Sequence, residues 1–302
     1  RGRRGSEGTF TPYEHDAPDL YDVIEWAHRQ PWCDGQVATT GGSYLGFVQW
    51  QAIRREHRHP ALKAINPLAA VGFGVDFPRE SGTAYAYTLQ WADFVSGREL
   101  DEARFGDYAF WFNAAYTLYK RRLPFASLDS VAGRPNAYFQ RWLAHPDYDA
   151  YWQGIMPKPA DYAALDLPVL ATTGYFDGDF NGATFYWDAL QRHGAALPAA
   201  VRARQQLLVG PWTHGSAQWQ PQSREAGMPI ERDAQLPVYR AILSWFDWVL
   251  KGRAQPAWIR GPVTYFVSGP AAREGKDPGE WRGAPSFAAA ARDTLRFWLT
   301  DA

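Results

Sequence analysis

Gln36-Val-Ala-Thr-Thr-Gly-Gly-Ser43-Tyr-Leu-Gly46 decides the fold. A short β-branched run, Gln36–Thr40, is broken by Gly41-Gly42, and a helical period resumes over Tyr44–Arg55. Strand, tight turn, helix is the order that lifts one side chain clear of a sheet. Here that side chain is Ser43, with its hydroxyl exposed and the following N–H, that of Tyr44, free to stabilise an oxyanion. The usual spacing puts a glycine two residues after such a serine, whereas this chain has Leu45 there and glycine at 46. An ordinary Gly-Ser turn stays open as the other reading of this stretch.

Working outward, Asp19–His28 carries apolar residues at helical spacing (Leu20, Val23, Ile24, Ala27) and Leu62–Asn66 reads as the next strand. Alternation of helix and strand predicts an α/β fold with a parallel sheet and crossover helices. From Val71 to Ala164 the pattern turns aromatic and helical with no convincing strand, too long for a loop, and is expected to be a helical cap. Strand (Leu167–Thr173), helix (Ala183–Arg192), strand (Gln206–Val209) and a long helix (Leu236–Leu250) then restore the alternation. Val263–Val267 and Thr294–Leu299 look like strands with no helix between them, which predicts a separate β domain. The expected division is therefore 1–70 with 165–256 as the α/β domain, 71–164 as the cap, and 257–302 as the start of a β-sandwich. The chain opens on Arg1-Gly-Arg-Arg-Gly5 rather than Met and stops beside a strand-like pattern, so both ends are expected to be cut.

Two further turns bear on Ser43. Thr173-Gly-Tyr-Phe-Asp177-Gly178 and Val209-Gly-Pro-Trp-Thr-His214-Gly215 each follow a strand, where open α/β sheets form their ligand sites. The chain order Ser43, Asp177, His214 is that of an α/β-hydrolase. In that scheme His214 takes the serine proton, Asp177 holds the imidazole tautomer, and the Tyr44 N–H is one oxyanion donor.

Taken with Arg3-Arg-Gly-Ser-Glu-Gly8, Tyr175-Phe-Asp-Gly178, Gly210-Pro-Trp-Thr-His214 and His145-Pro-Asp-Tyr-Asp-Ala-Tyr-Trp152, these residues resemble the X-prolyl dipeptidyl-peptidase-like family of serine hydrolases. That group includes the bacterial cocaine esterases, α-amino-acid ester hydrolases and glutaryl-cephalosporin acylases. The resemblance implies an α/β-hydrolase fold with a helical cap and the start of a C-terminal jelly roll, with Ser43, Asp177 and His214 as triad and no cofactor or metal. It also implies a second oxyanion donor, a tyrosine on a strand before Arg1. The ester hydrolases of the group hold the substrate's ammonium with clustered carboxylates. Asp179 matches one, Phe180 replaces the next, and Asp76 followed by Phe77 stands where a pair is expected. Asp179, Asp76, Tyr175 and Trp212 are the residues expected to touch substrate. Asp179 also fits a plain turn residue.

The remaining features are bland. Thirty-one basic against 32 acidic residues leave a net charge of −1, which predicts no electrostatic footprint for nucleic acid or an anionic membrane. No apolar run reaches membrane-spanning length. His57 and His59 read as a solvated helix end rather than a metal site, and Cys33 as a small buried filler. The 15 Trp, 16 Tyr and 17 Phe, among them Trp91, Phe94, Trp111, Phe112 and Tyr116, read as core before pocket. The expectation is a hydrolase for esters or amides of small acyl groups. An X-prolyl dipeptidyl-peptidase and a catalytically silent carbohydrate- or partner-binding protein are the alternatives. Compartment and homo-oligomeric state stay open.

Overall fold

The computed structural model describes residues 1–269 and 279–290. The chain runs α1 (Asp16–His28), β1 (Val37–Gly42), α2 (Tyr44–Gln51) and β2 (Leu62–Leu68), then a small hairpin of β3 (Arg79–Glu80) and β4 (Thr83–Ala84). Helices α3 (Ala86–Val95), α4 (Glu102–Phe105), α5 (Tyr108–Lys120), α6 (Leu128–Val131), α7 (Ala137–Leu143), α8 (Ala150–Ile155) and α9 (Pro159–Ala163) follow. Next come β5 (Val169–Phe176), α10 (Phe180–His193), α11 (Ala199–Arg202), β6 (Gln205–Thr213) and α12 (His214–Gln218). A second hairpin, β7 (Arg224–Glu225) with β8 (Met228–Pro229), precedes α13 (Val238–Lys251), β9 (Val263–Val267) and β10 (Glu280–Ala284).

One six-stranded sheet, in the order β1-β2-β5-β6-β9-β10, organises these elements. Its first four pairings are parallel, and only β10 runs antiparallel to β9. Both faces are covered, as a parallel sheet requires. Alternate residues of the central strands divide between the faces: Ile65, Val169, Ala171, Leu207 and Val209 pack with α2 and α10 through Trp50 and Trp187. Ala64, Leu68, Leu170, Leu208 and Trp212 pack with α13. That helix buries Val238, Ala241, Ile242, Trp245 and Val249, a stripe at helical spacing, and ends at Gly252, whose φ of 66° is the left-handed cap that glycine adopts readily. Each large side chain so buried contributes roughly 1.5–3 kcal/mol.

The structure departs from several expectations. The segment after Val71 contains the β3–β4 hairpin as well as helices; its two-residue strands are too short to leave a periodic signal. Val263–Val267 does not open a separate domain but joins the main sheet, Leu207 opposite Val263 and Val209 opposite Tyr265. An apolar run buried on both faces has no period that could assign it to one sheet or another. The expected strand Thr294–Leu299 lies outside the described residues. His59 is not solvated: it is 3% exposed, its Nε2 lies 2.8 Å from Glu25 Oε2, and its Nδ1 accepts the Ala61 N–H. Cys33 is half-exposed. Of the aromatics read as core, Trp111 is buried, but Phe112 and Tyr116 stand exposed on α5.

Candidate active site

Ser43 sits between β1 and α2 at φ 61° and ψ −125°, a conformation costly for a residue with a Cβ. The turn is pinned from both sides. The Ser43 N–H donates to the carbonyls of Leu68 and Ala69 at 2.9 and 3.1 Å, and its own carbonyl accepts from Gly46 and Phe47. Gly46 accounts for the shifted spacing of the motif. A Cβ there would lie 2.7 Å from the Leu68 carbonyl oxygen and 2.9 Å from Ala70 Cα, so the helix can approach the end of β2 only without one. Leu45, at the position where glycine was expected, points to solvent and needs no such freedom. Tyr44 opens α2, and the amide of a first helical residue has no partner within the helix. Its hydroxyl donates to half-buried Asp16, whose carboxyl is pushed up to about 6 chiefly by its removal from water.

Asp177 follows β5 and His214 follows β6, two strands paired over Val169–Gly174 with a shift before Phe176. His214 Nδ1 lies 2.8 Å from Asp177 Oδ1. Asp177 is held by two further bonds, from the Thr173 hydroxyl at 3.0 Å to Oδ2 and from the Asp179 N–H at 2.9 Å to Oδ1, and its side chain is fully buried. An acceptor so fixed selects the Nδ1–H tautomer and leaves Nε2 with a free lone pair, able to accept a proton. Burial of the ring disfavours its cation, but the bond and charge of Asp177, with the charge of Asp179, outweigh it and hold His214 above its ordinary pKa.

Ser43 and His214 line one cavity of about 290 Å³ with Asp179 and Gly178. The rest of the lining is largely aromatic: Tyr13, Phe77, Tyr85, Tyr87 and Trp91, with Val71 and Glu80 among them. Asp179 Oδ2 lies 3.5 Å from His214 Nδ1, and burial, opposed by His214, pushes its carboxyl up to about 7. Asp177, Asp179 and His214 are the one set of three metal-capable groups among the described residues, with ligand atoms within 4.8 Å of one another. A metal ion there would displace the very Nδ1 proton that binds Asp177.

The structure thus brings Ser43, Tyr44, Asp177, Asp179 and His214 together and leaves out the other three expected contacts. Asp76 is 1% exposed and takes the Gly72 N–H at 2.9 Å on one oxygen and the Gly182 N–H on the other, so it ties the loop after β2 to the first turn of α10. Tyr175 donates its hydroxyl to the Phe266 carbonyl at 2.8 Å, across to β9. Trp212 is wholly buried on the α13 face, its indole N–H donating to the Ala234 carbonyl. The cavity also takes in Tyr13, Glu80, Tyr85 and Tyr87, which no motif marks, and Trp91, whose aromatic context reads as core before pocket. Only the Tyr85-Ala-Tyr87 alternation beside a turn hinted at them.

Sheet and site together define an α/β-hydrolase-like fold in which a serine on a strand–helix turn shares a cavity with a carboxylate-bound histidine. The profile of the X-Pro dipeptidyl-peptidase (S15 family) matches residues 1–216, and the chain belongs to that family. It is 30% identical over 299 residues to the cocaine esterase of Rhodococcus sp. (strain MB1 Bresler), covering 93% of this chain and 48% of that protein. The chain spans about half the length of the curated relatives it matches. Among solved structures, an aminopeptidase from a marine sediment Thaumarchaeota archaeon superposes with a TM-score of 0.69 at 23% identity, over 89% of this chain and 45% of that one. An α-amino acid ester hydrolase gives 0.65 at 21%, over 88% and 44%. These two likenesses concern the fold. No described helix is long and apolar enough to cross a membrane.

Proposed function

We propose that the protein is a serine hydrolase that cleaves esters or amides of small, largely apolar acyl groups through an acyl-enzyme on Ser43. The observation that carries the reading is the 2.8 Å bond from His214 to Asp177 in the cavity that also holds Ser43. The Ser43 oxygen attacks the carbonyl carbon while its proton passes to His214, and the Tyr44 N–H receives the developing oxyanion. Collapse expels the alcohol or amine, which takes the proton from His214. Water then repeats the attack on the acyl carbon, with His214 again as base, and releases the acid and free Ser43. Asp177 holds the ring in place and stabilises the imidazolium. Residues 71–164 would form the cap over this site, since Phe77–Trp91 supply the cavity's aromatic wall.

Fluorophosphonate labelling of the full-length protein tests the assignment. Label is expected on Ser43, absent in Ser43→Ala and slowed by on the order of 10³-fold in His214→Ala. A folded protein that takes no label would fit the silent binding module instead.

A second reading keeps the triad and changes the substrate. Asp179 and Glu80 both face the cavity, and two carboxylates suit a substrate with a protonated amine, as an X-prolyl dipeptidyl-peptidase requires. Paired α-amino and des-amino esters separate the two: a strong preference for the amine in kcat/KM would favour this reading over the first.

A further inference from the structure

Tyr13 lies in a stretch with no catalytic motif, yet it is held more tightly than any motif demands. Its φ is 69°, a left-handed conformation that costs a tyrosine roughly 1–3 kcal/mol. Aromatic packing fixes it there. The ring stacks on Phe73 at 4.0 Å and 12°, meets Tyr44 and Phe47 edge-on at 4.7 and 4.8 Å, and lies 5.3 Å from Trp91. Its backbone N–H donates to the Tyr44 hydroxyl. The residue is only 2% exposed, and it lines the cavity that holds Ser43 and His214.

Its hydroxyl differs from those of the other buried and half-buried tyrosines. Tyr44 donates to Asp16, Tyr85 to the Asp76 carbonyl and Tyr186 to the Val71 carbonyl. Tyr162 has a hydroxyl with no partner, but that atom is sealed from solvent. The Tyr13 hydroxyl bonds to no group among the described residues and is not among the sealed atoms, so its opening is the cavity. Burial first, then the charges of Tyr44, Asp179 and Tyr87, raise its pKa far above the ordinary value. It therefore stays protonated and can donate. Tyr87 stands at 43% exposure, where water competes for its hydroxyl, which leaves Tyr13 as the sheltered donor.

We propose, resting on the serine-hydrolase reading above, that Tyr13 is a specificity-determining residue whose hydroxyl donates to an oxygen on the substrate's acyl group. It would select short apolar acyl chains bearing an ether or carbonyl oxygen over hydrocarbon chains of equal length. Buried polar groups discriminate in this way because the wrong substrate leaves them unpaired.

The p-nitrophenyl esters of methoxyacetic and butyric acid differ by one oxygen for one methylene and test it. In the full-length protein, Tyr13→Phe keeps the ring and the backbone and removes the donor. It is expected to lower kcat/KM for the methoxyacetyl ester about tenfold and to leave the butyryl ester within about twofold. The unaltered protein is expected to prefer the methoxyacetyl ester beyond the ratio that hydroxide gives in solution, a result that needs no variant. Equal losses on both esters, or none on either, with fluorophosphonate labelling of Ser43 intact, would overturn the role of Tyr13 alone. Absence of labelling in the unaltered protein would overturn the hydrolase reading and this inference with it.

Discussion

At the scale of single residues, Asp179 is the group whose chemistry reaches furthest. It stands 3.5 Å from the nitrogen that Asp177 already holds, with its own carboxyl near 7 because of burial. Ionised, it helps to hold His214 as the imidazolium, the form that cannot act as base. Asp179→Asn removes that charge and lets neutral imidazole persist in more acid solution. The acidic limb of the kcat/KM profile is expected to move to lower pH, and a limb that stays in place would separate Asp179 from the titration. Asp76 works through the backbone instead. Asp76→Ala strips two buried amides of their acceptor and is expected to cost about 2–4 kcal/mol in urea unfolding. The carboxyl's pKa is raised in the fold, first by burial and then by Asp179, so its contribution is complete below its unfolded value and fades as pH rises through the folded one. The gap between parent and variant should therefore narrow above about pH 4. Ser43, Asp177 and His214 were legible because each closes a β-branched or apolar run with a turn. Asp76 was not, since a carboxylate near glycines reads alike whether it faces a ligand or two amides. Trp212 could have been placed better, because it shares the parity of Leu208 and so the core face of β6.

Among the elements, the junction of β1, β2 and α2 carries the tightest constraint. Gly46→Ala would press a methyl group against two backbone atoms of the segment leaving β2. Roughly 1–3 kcal/mol of stability should be lost, with Ser43 labelling slowed at least about tenfold because the turn itself must shift. Labelling at the parent rate would mean that the helix can yield without moving Ser43. On the opposite face, Trp245→Ala is expected to cost about 3–5 kcal/mol, as for other large core residues, while labelling of the folded fraction stays unchanged. Long periodic elements such as α13 could be read directly from their apolar stripe. The β3–β4 hairpin could not, and the side of the cavity it helps to build was lost with it.

Across the whole molecule, Ser43, Asp177 and His214 all follow strands of one sheet, so on the proposed reading chemistry and folding share a single core. β9 extends that sheet, which makes Val263, wholly buried opposite Leu207, a test of where the unit ends. Val263→Asp places an unpaired charge in the core and is expected to cost several kcal/mol, about 3–5, abolishing Ser43 labelling as the sheet unfolds. Were β9 part of a separate unit, labelling would survive. The cavity divides differently. Phe77, Glu80, Tyr85, Tyr87 and Trp91 come from one continuous stretch of chain that supplies neither Ser43, Asp177 nor His214. Substitutions in that stretch would therefore alter the wall a ligand meets without replacing any of those three residues. On the proposed reading, exchanging residues 77–91 would remodel much of what the cavity admits, Tyr13 and Asp179 apart, and leave the bond-breaking groups as they are.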